Sequence, residues 1–137
     1  MKLQNKRIGY CFTGSFCTFE SSIKQLENLI KEENAIITPI MSFNSYNLDT
    51  KFGSSEYFIN KIEKITESKI IHTIQDAEPI GPKDLLDILI IAPCSGNTLS
   101  KIANDINDTP VTMSVKSILR KEKPVVLAVS TNNALSR

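Results

Sequence analysis

Four short apolar runs, RIGYCFT at 7–13, AIITPIMSF at 35–43, DILIIA at 87–92 and PVVLAV at 124–129, each give way within three residues to glycine, serine, threonine or asparagine. Between them the apolar residues recur at helical spacing. Ile23, Leu26 and Ile30 share one face of a segment from Glu20 to Lys31, and Phe58, Ile62 and Ile65 share another from Glu56 to Thr66. Leu99, Ile102, Ala103 and Ile106 do the same over Thr98 to Ile106, with Thr98 as helix cap. A further face, Val111, Val115, Ile118 and Leu119, opens with Thr109 as N-cap and Pro110 at the first helical position, and Pro124 ends it. Strands that alternate with helices in this way return the chain to the same end each time and therefore lie parallel. The expected fold is α/β, a three-layer doubly wound parallel sheet of the Rossmann-like or flavodoxin-like kind.

Lys69 to Ile74 (KIIHTI) reads as an additional short strand, which makes five in all. Asp87 to Ala92 is apolar at every position after the aspartate, as a strand covered on both faces should be. Pro39 lacks a ladder donor, so its strand belongs near an edge or carries a bulge there. Asn44 to Ser54 (NSYNLDTKFGS) is a polar connection, longer than usual and either functional or flexible. AEPIGPKDL is a connection punctuated by prolines.

The chain has 137 residues, 41% of them apolar, enough for one core and one domain over 1–137. Its formal charge is +1, and basic residues alternate with acidic ones instead of forming a stripe, so nucleic acid is not an expected partner. No apolar run is long enough to cross a bilayer, and the start MKLQNKRIGYCF has no secretory pattern; the expected location is cytoplasmic, away from any membrane. Cys11, Cys17 and Cys94 lack metal-ligand spacing and have a single histidine, His72, to help them, so no metal site is expected. Cys11 reads as strand core, Cys17 and Cys94 as loop residues, and His72 as a surface or satisfied strand histidine.

In parallel sheets ligands sit beyond the carboxyl ends of the strands. Here those ends read TGSFCT, SFNS, PCSGNT and STNN. Gly14 lets the backbone turn tightly, and Ser15, Thr18 and the backbone N–H groups beside them suit a phosphate. An ordinary strand-to-helix turn with a serine cap explains that loop equally well. In PCSGNT, Ser95, Gly96, Asn97 and Thr98 combine backbone freedom with hydroxyl and amide groups at a helix start, more than capping alone requires. Neither GxxxxGK[ST] nor GxGxxG is present, so triphosphate and dinucleotide readings lack their usual support.

The run APCSGNTLSKIAND, with TGS after the first strand and SF after the second, resembles the flavoprotein family of flavin-containing decarboxylases and flavin prenyltransferases. The resemblance extends through KRIGYCFTGSFCTFE, DTKFG, AEPIGPK and KPVVLAVSTNNAL to nearly the whole chain. It implies that Thr13, Gly14, Ser15 and Thr18 approach an FMN phosphate, with Ser42 and Phe43 lining the same site. Ser95, Gly96, Asn97 and Thr98 would hold the flavin ring and ribityl chain, and Asn132 is kept from a later family motif. Where the decarboxylases carry a histidine upstream of the AP pair, this sequence has Pro79, and the later PxMNxxM motif appears as VSTNNAL.

The resemblance is strongest to one component of a two-component enzyme that oxidises a dihydro ring dicarboxylate in the mother cell of a sporulating bacterium. It implies a separate partner subunit that brings NAD(P), a homo-oligomeric assembly, and a natural chain that continues past Arg137. The alternatives are a decarboxylase, a flavin prenyltransferase, or a flavin-free scaffold for the partner. The residues name no general base.

Overall fold

β1 (Arg7–Phe12) lies inside the sheet because nearly all of its side chains are apolar and both of its faces are covered. The computed structural model describes residues 2–130. From β1 the chain passes through α1 (Phe19–Lys31) to β2 (Ile36–Met41), then through α2 (Phe43–Asn47), α3 (Ser55–Thr66) and α4 (Ile74–Ala77) to β3 (Ile88–Cys94). Helices α5 (Gly96–Ala103) and α6 (Pro110–Arg120) lead on to β4 (Val125–Val129). The strands form one parallel sheet in the order β2-β1-β3-β4. This is the expected α/β architecture, a parallel sheet with helices on both faces.

Strand alternation divides the core into two clusters. Ile8, Tyr10, Phe12, Ile37 and Met41 face α1 and α3, where they meet Phe19, Ile23, Leu26, Phe58 and Ile62. On the other face Cys11, Ile40, Leu89 and Ile91 meet Ala77 of α4 and Val111, Val115 and Ile118 of α6. Leu119, expected on that face, is instead 54% exposed. Phe19 anchors the first cluster, with ring centroids 5.3 Å from Phe12, 5.0 Å from Phe16 and 5.0 Å from Phe58.

At the amino ends of the strands Arg7 clips β1 to the approach of β3. Its Nη2 donates to Asp87 Oδ1 at 2.9 Å, its backbone N–H donates to Asp87 Oδ2 at 2.8 Å, and Nη1 donates to the Asp84 carbonyl at 2.6 Å. The bonds from Arg7 hold the Asp87 carboxyl far below the usual carboxylate range.

Three further expectations need correction. Lys69 to Ile74 is not a strand: a single bridge joins Ile71 to the outer side of β2, where Met41 N–H donates to Ile71 O and Ile71 N–H to Pro39 O, both at 2.9 Å. The sheet among the described residues therefore has four strands. α5 begins before Thr98, because Ser95 is the N-cap and its Oγ accepts from Thr98 N–H at 3.2 Å. Cys94 is not a loop residue but the buried last residue of β3. Pro39 does lie in an edge strand, with its missing donor turned away from β1.

The thiols differ sharply in environment. Burial raises Cys11 well above the ordinary thiol range and pushes Cys94 up to about 11, so both stay protonated near neutral pH, whereas Cys17 is exposed. A thiol reagent at neutral pH is therefore expected to modify about one equivalent rapidly in the folded protein, and all three cysteines after unfolding. Cys17→Ser should abolish the fast phase.

Candidate functional site

The carboxyl ends of β1, β2 and β3 open onto one cleft of about 270 Å3. Gly14 follows β1, and an added Cβ there would meet nothing within 4 Å, so the backbone faces open space. Ser42, Phe43 and Asn44 enter from the end of β2, and Ser95, Asn97, Thr98 and Lys101 from the end of β3 and the first turns of α5. Thr109, the N-cap of α6, closes the far side.

Local hydrogen bonds fix this rim. Thr13, fully buried, donates through Oγ1 to Pro93 O at 2.7 Å and accepts from Ser95 N–H at 2.8 Å, which ties the end of β1 to the loop after β3. Ser42 caps α2, accepting from Ser45 N–H at 3.3 Å, while Ser45 Oγ donates to Phe12 O at 2.9 Å. Ser95 Oγ also donates to Thr98 Oγ1 at 3.1 Å. Gly96 and Asn97 occupy the first turn of α5, where helical N–H groups have no intrahelical acceptor and the dipole favours an anion.

Of the residues singled out in the sequence, Gly14, Ser42, Phe43, Ser95, Asn97 and Thr98 line the cleft, and Gly96 lies between two of them. Thr13 stands behind it as a strut. Ser15 and Thr18 are not brought in: Ser15 Oγ donates to Ser130 O, and Thr18 Oγ1 donates to Ser15 O at 2.9 Å. Thr18 and Ser130 line a separate groove of about 410 Å3 between α1 and the ends of β3 and β4. Asn132 lies outside the described residues. Asn44, Lys101 and Thr109 were missed. For Lys101 the signal was present in the sequence, since Asn97, Thr98 and Lys101 fall at i, i+1 and i+4 of one helix.

Among the described residues no acidic side chain lines the cleft, and its one cation is Lys101, whose Nζ lies 2.9 Å from Asp108 Oδ1. Hydroxyls, two amides, free helix N–H groups and a lysine make a surface suited to an anion with polar substituents. His72 takes no part in lining it. Its ring stacks on Tyr46 with centroids 3.8 Å apart and planes 2° from parallel. Among the described residues no group of three or more His, Cys, Asp or Glu side chains is placed to hold a metal, and no helix is long and apolar enough to cross a membrane.

Comparison with known proteins agrees with this fold. The chain is 45% identical over 133 residues to the B subunit of dipicolinate synthase from Bacillus subtilis, covering 97% of this chain and 66% of that protein's length. The crystal structure of the B subunit of dipicolinate synthase from Bacillus halodurans superposes with a TM-score of 0.86 at 46% identity, over 99% of this chain and 69% of that one. Burkholderia xenovorans DmrB in complex with FMN, described as a cubic protein cage for redox transfer, shares the fold with a TM-score of 0.73 at 20% identity, over 91% of this chain and 66% of that one. The flavoprotein family model matches residues 1–136. A parallel sheet whose strand ends converge on a polar cleft, a family match over nearly the whole chain, and close similarity to two dipicolinate synthase B subunits lead to one statement: the chain belongs to the flavoprotein family.

Proposed function

We propose that the strand-end cleft binds FMN and that the chain acts as the B subunit of a dipicolinate synthase, working with the synthase's other subunit to oxidise a dihydrodipicolinate-type dicarboxylate to dipicolinate during sporulation. The observation that carries this reading is the convergence of Gly14, Ser42, Ser95, Asn97 and Thr98 on one cleft at three strand ends. The residues fit the group: open space in front of Gly14 and the first N–H groups of α5 suit a phosphate, and the Asn97 amide suits ribityl hydroxyls or ring carbonyls.

Flavin, when bound, supplies a two-electron acceptor. The chain's own contribution is to bind and orient. At about 270 Å3 the cleft is smaller than pockets of roughly 300 to 1,000 Å3 that enclose a drug-sized ligand. A molecule the size of FMN would be gripped in part and covered elsewhere, by further copies of the chain or by the companion subunit. That companion is the place for NAD(P) in this scheme, because this chain has no GxGxxG fingerprint of its own. The whole assembly would work in the mother-cell cytoplasm.

The test is direct. Purified protein is expected to be yellow and to release FMN on denaturation; once the companion subunit, nicotinamide cofactor and dihydro dicarboxylate are added, it should generate dipicolinate absorbance. Colourless protein that takes up no added FMN would overturn the flavin part. Replacing Ser95 or Thr98 by alanine is expected to weaken FMN binding by about 1 kcal/mol each, roughly fivefold in Kd by titration, and Ser95→Ala should also cost about 1 kcal/mol of stability through the lost cap.

A further inference from the structure

We infer that Lys101 is the specificity-determining residue for a carboxylate-bearing substrate in the cleft, and that it works by exchanging its present partner, Asp108, for a carboxylate of the ligand. The inference rests on the reading of the cleft given above and names the residue that would read the substrate's charge.

Lys101 is the one cation among the described residues that line the cleft, and none of those residues is an acid. Its side chain is 24% exposed, whereas that of Asp108, 2.9 Å away, is 60% exposed. The lysine is thus held inward and its partner sits at the water boundary. An ammonium carries three N–H donors, and Asp108 engages one of them, so the head can turn to a second acceptor without leaving its place. An ion pair with so exposed a member contributes little net stability, so giving up Asp108 costs less than a ligand carboxylate held within the cleft returns. Asp108 then rotates into water at small cost, while the half-buried lysine stays neutralised.

Position on α5 separates this task from phosphate binding. The free N–H groups lie in the first turn, at Gly96 and Asn97, and Lys101 stands about one turn further along the helix. Asn97 and Thr98 lie on the same side of α5, so a ligand anchored at the helix start and one paired with Lys101 would be neighbours in the cleft, not competitors for one set of donors.

The experiment measures FMN by fluorescence titration and dipicolinate (pyridine-2,6-dicarboxylate) by calorimetry, the latter with and without FMN, on the full chain. Lys101→Gln is expected to weaken dipicolinate about tenfold while FMN affinity changes by less than about twofold; Lys101→Arg should hold dipicolinate within a few-fold of the wild type. Asp108→Asn should tighten dipicolinate by about threefold, because the internal competitor is gone. Unchanged dipicolinate affinity in Lys101→Gln, equal loss of FMN and dipicolinate in that variant, or a wild type that binds no dipicolinate would each overturn the inference. A wild type that binds dipicolinate through Lys101 but takes up no FMN would sink the flavin reading alone.

Discussion

Phe19→Ala is expected to lose about 3–5 kcal/mol of stability, measured by urea denaturation, which is a large part of the roughly 5–15 kcal/mol that holds a domain of this size together. Phe19 has no solvent exposure, and its ring touches three others, from the end of β1, from the turn before α1 and from α3. Truncation would open a cavity at the point where both helices of that face meet the sheet. Phe19→Leu keeps most of the volume and should cost no more than about 1.5 kcal/mol. A small effect from the alanine variant would mean that α1 and α3 can close the gap, and that the aromatic cluster is less rigid than its geometry implies.

The second large effect is expected at Thr13, and it joins stability to the site. Thr13→Val preserves shape but removes the hydroxyl that bonds both Pro93 O and Ser95 N–H. The partners are left with poor access to water, a loss of about 2–3 kcal/mol. Because Ser95 is also the N-cap of α5, the loop that carries Gly96, Asn97 and Thr98 should loosen with it, and FMN affinity is expected to fall about tenfold although Thr13 itself does not line the cleft. Thr13→Ser, which keeps the hydroxyl, should restore both properties. Equal unfolding midpoints for Thr13→Val and wild type would dispose of the strut.

The elements that were legible in the sequence are those where several local signals agree. α6 combines an apolar stripe with Thr109 and Pro110 at its start, and the structure adds a reciprocal bond in which Thr109 N–H donates to Thr112 Oγ1 at 3.0 Å. β1 and β3 were legible because apolar runs ended in turn residues. KIIHTI carries a strand pattern too, but whether it pairs depends on how the chain passes from α3 to the opposite face of the sheet, and one bridge at Ile71 is all that path allows. The start of α5 was displaced because Ser95 and Thr98 both suit a cap, and only the bond from Thr98 N–H to Ser95 Oγ decides between them. In the cleft, hydroxyls and glycines at strand ends were readable from the rule that ligands gather there. Lys101 carried its signal in helical spacing and not at a strand end, and reading α5 for its apolar stripe draws attention away from the polar side that Asn97, Thr98 and Lys101 share.

Pro39 has a consequence for how copies of this chain meet one another. On the outer margin of β2 the proline offers no N–H, and its carbonyl together with the Met41 N–H is already taken by Ile71. A foreign strand arriving there finds a gap in the donor row and a neighbour in the way, so ribbon-like growth from that margin is blocked by the backbone itself. That margin is therefore a poor template for fibril growth.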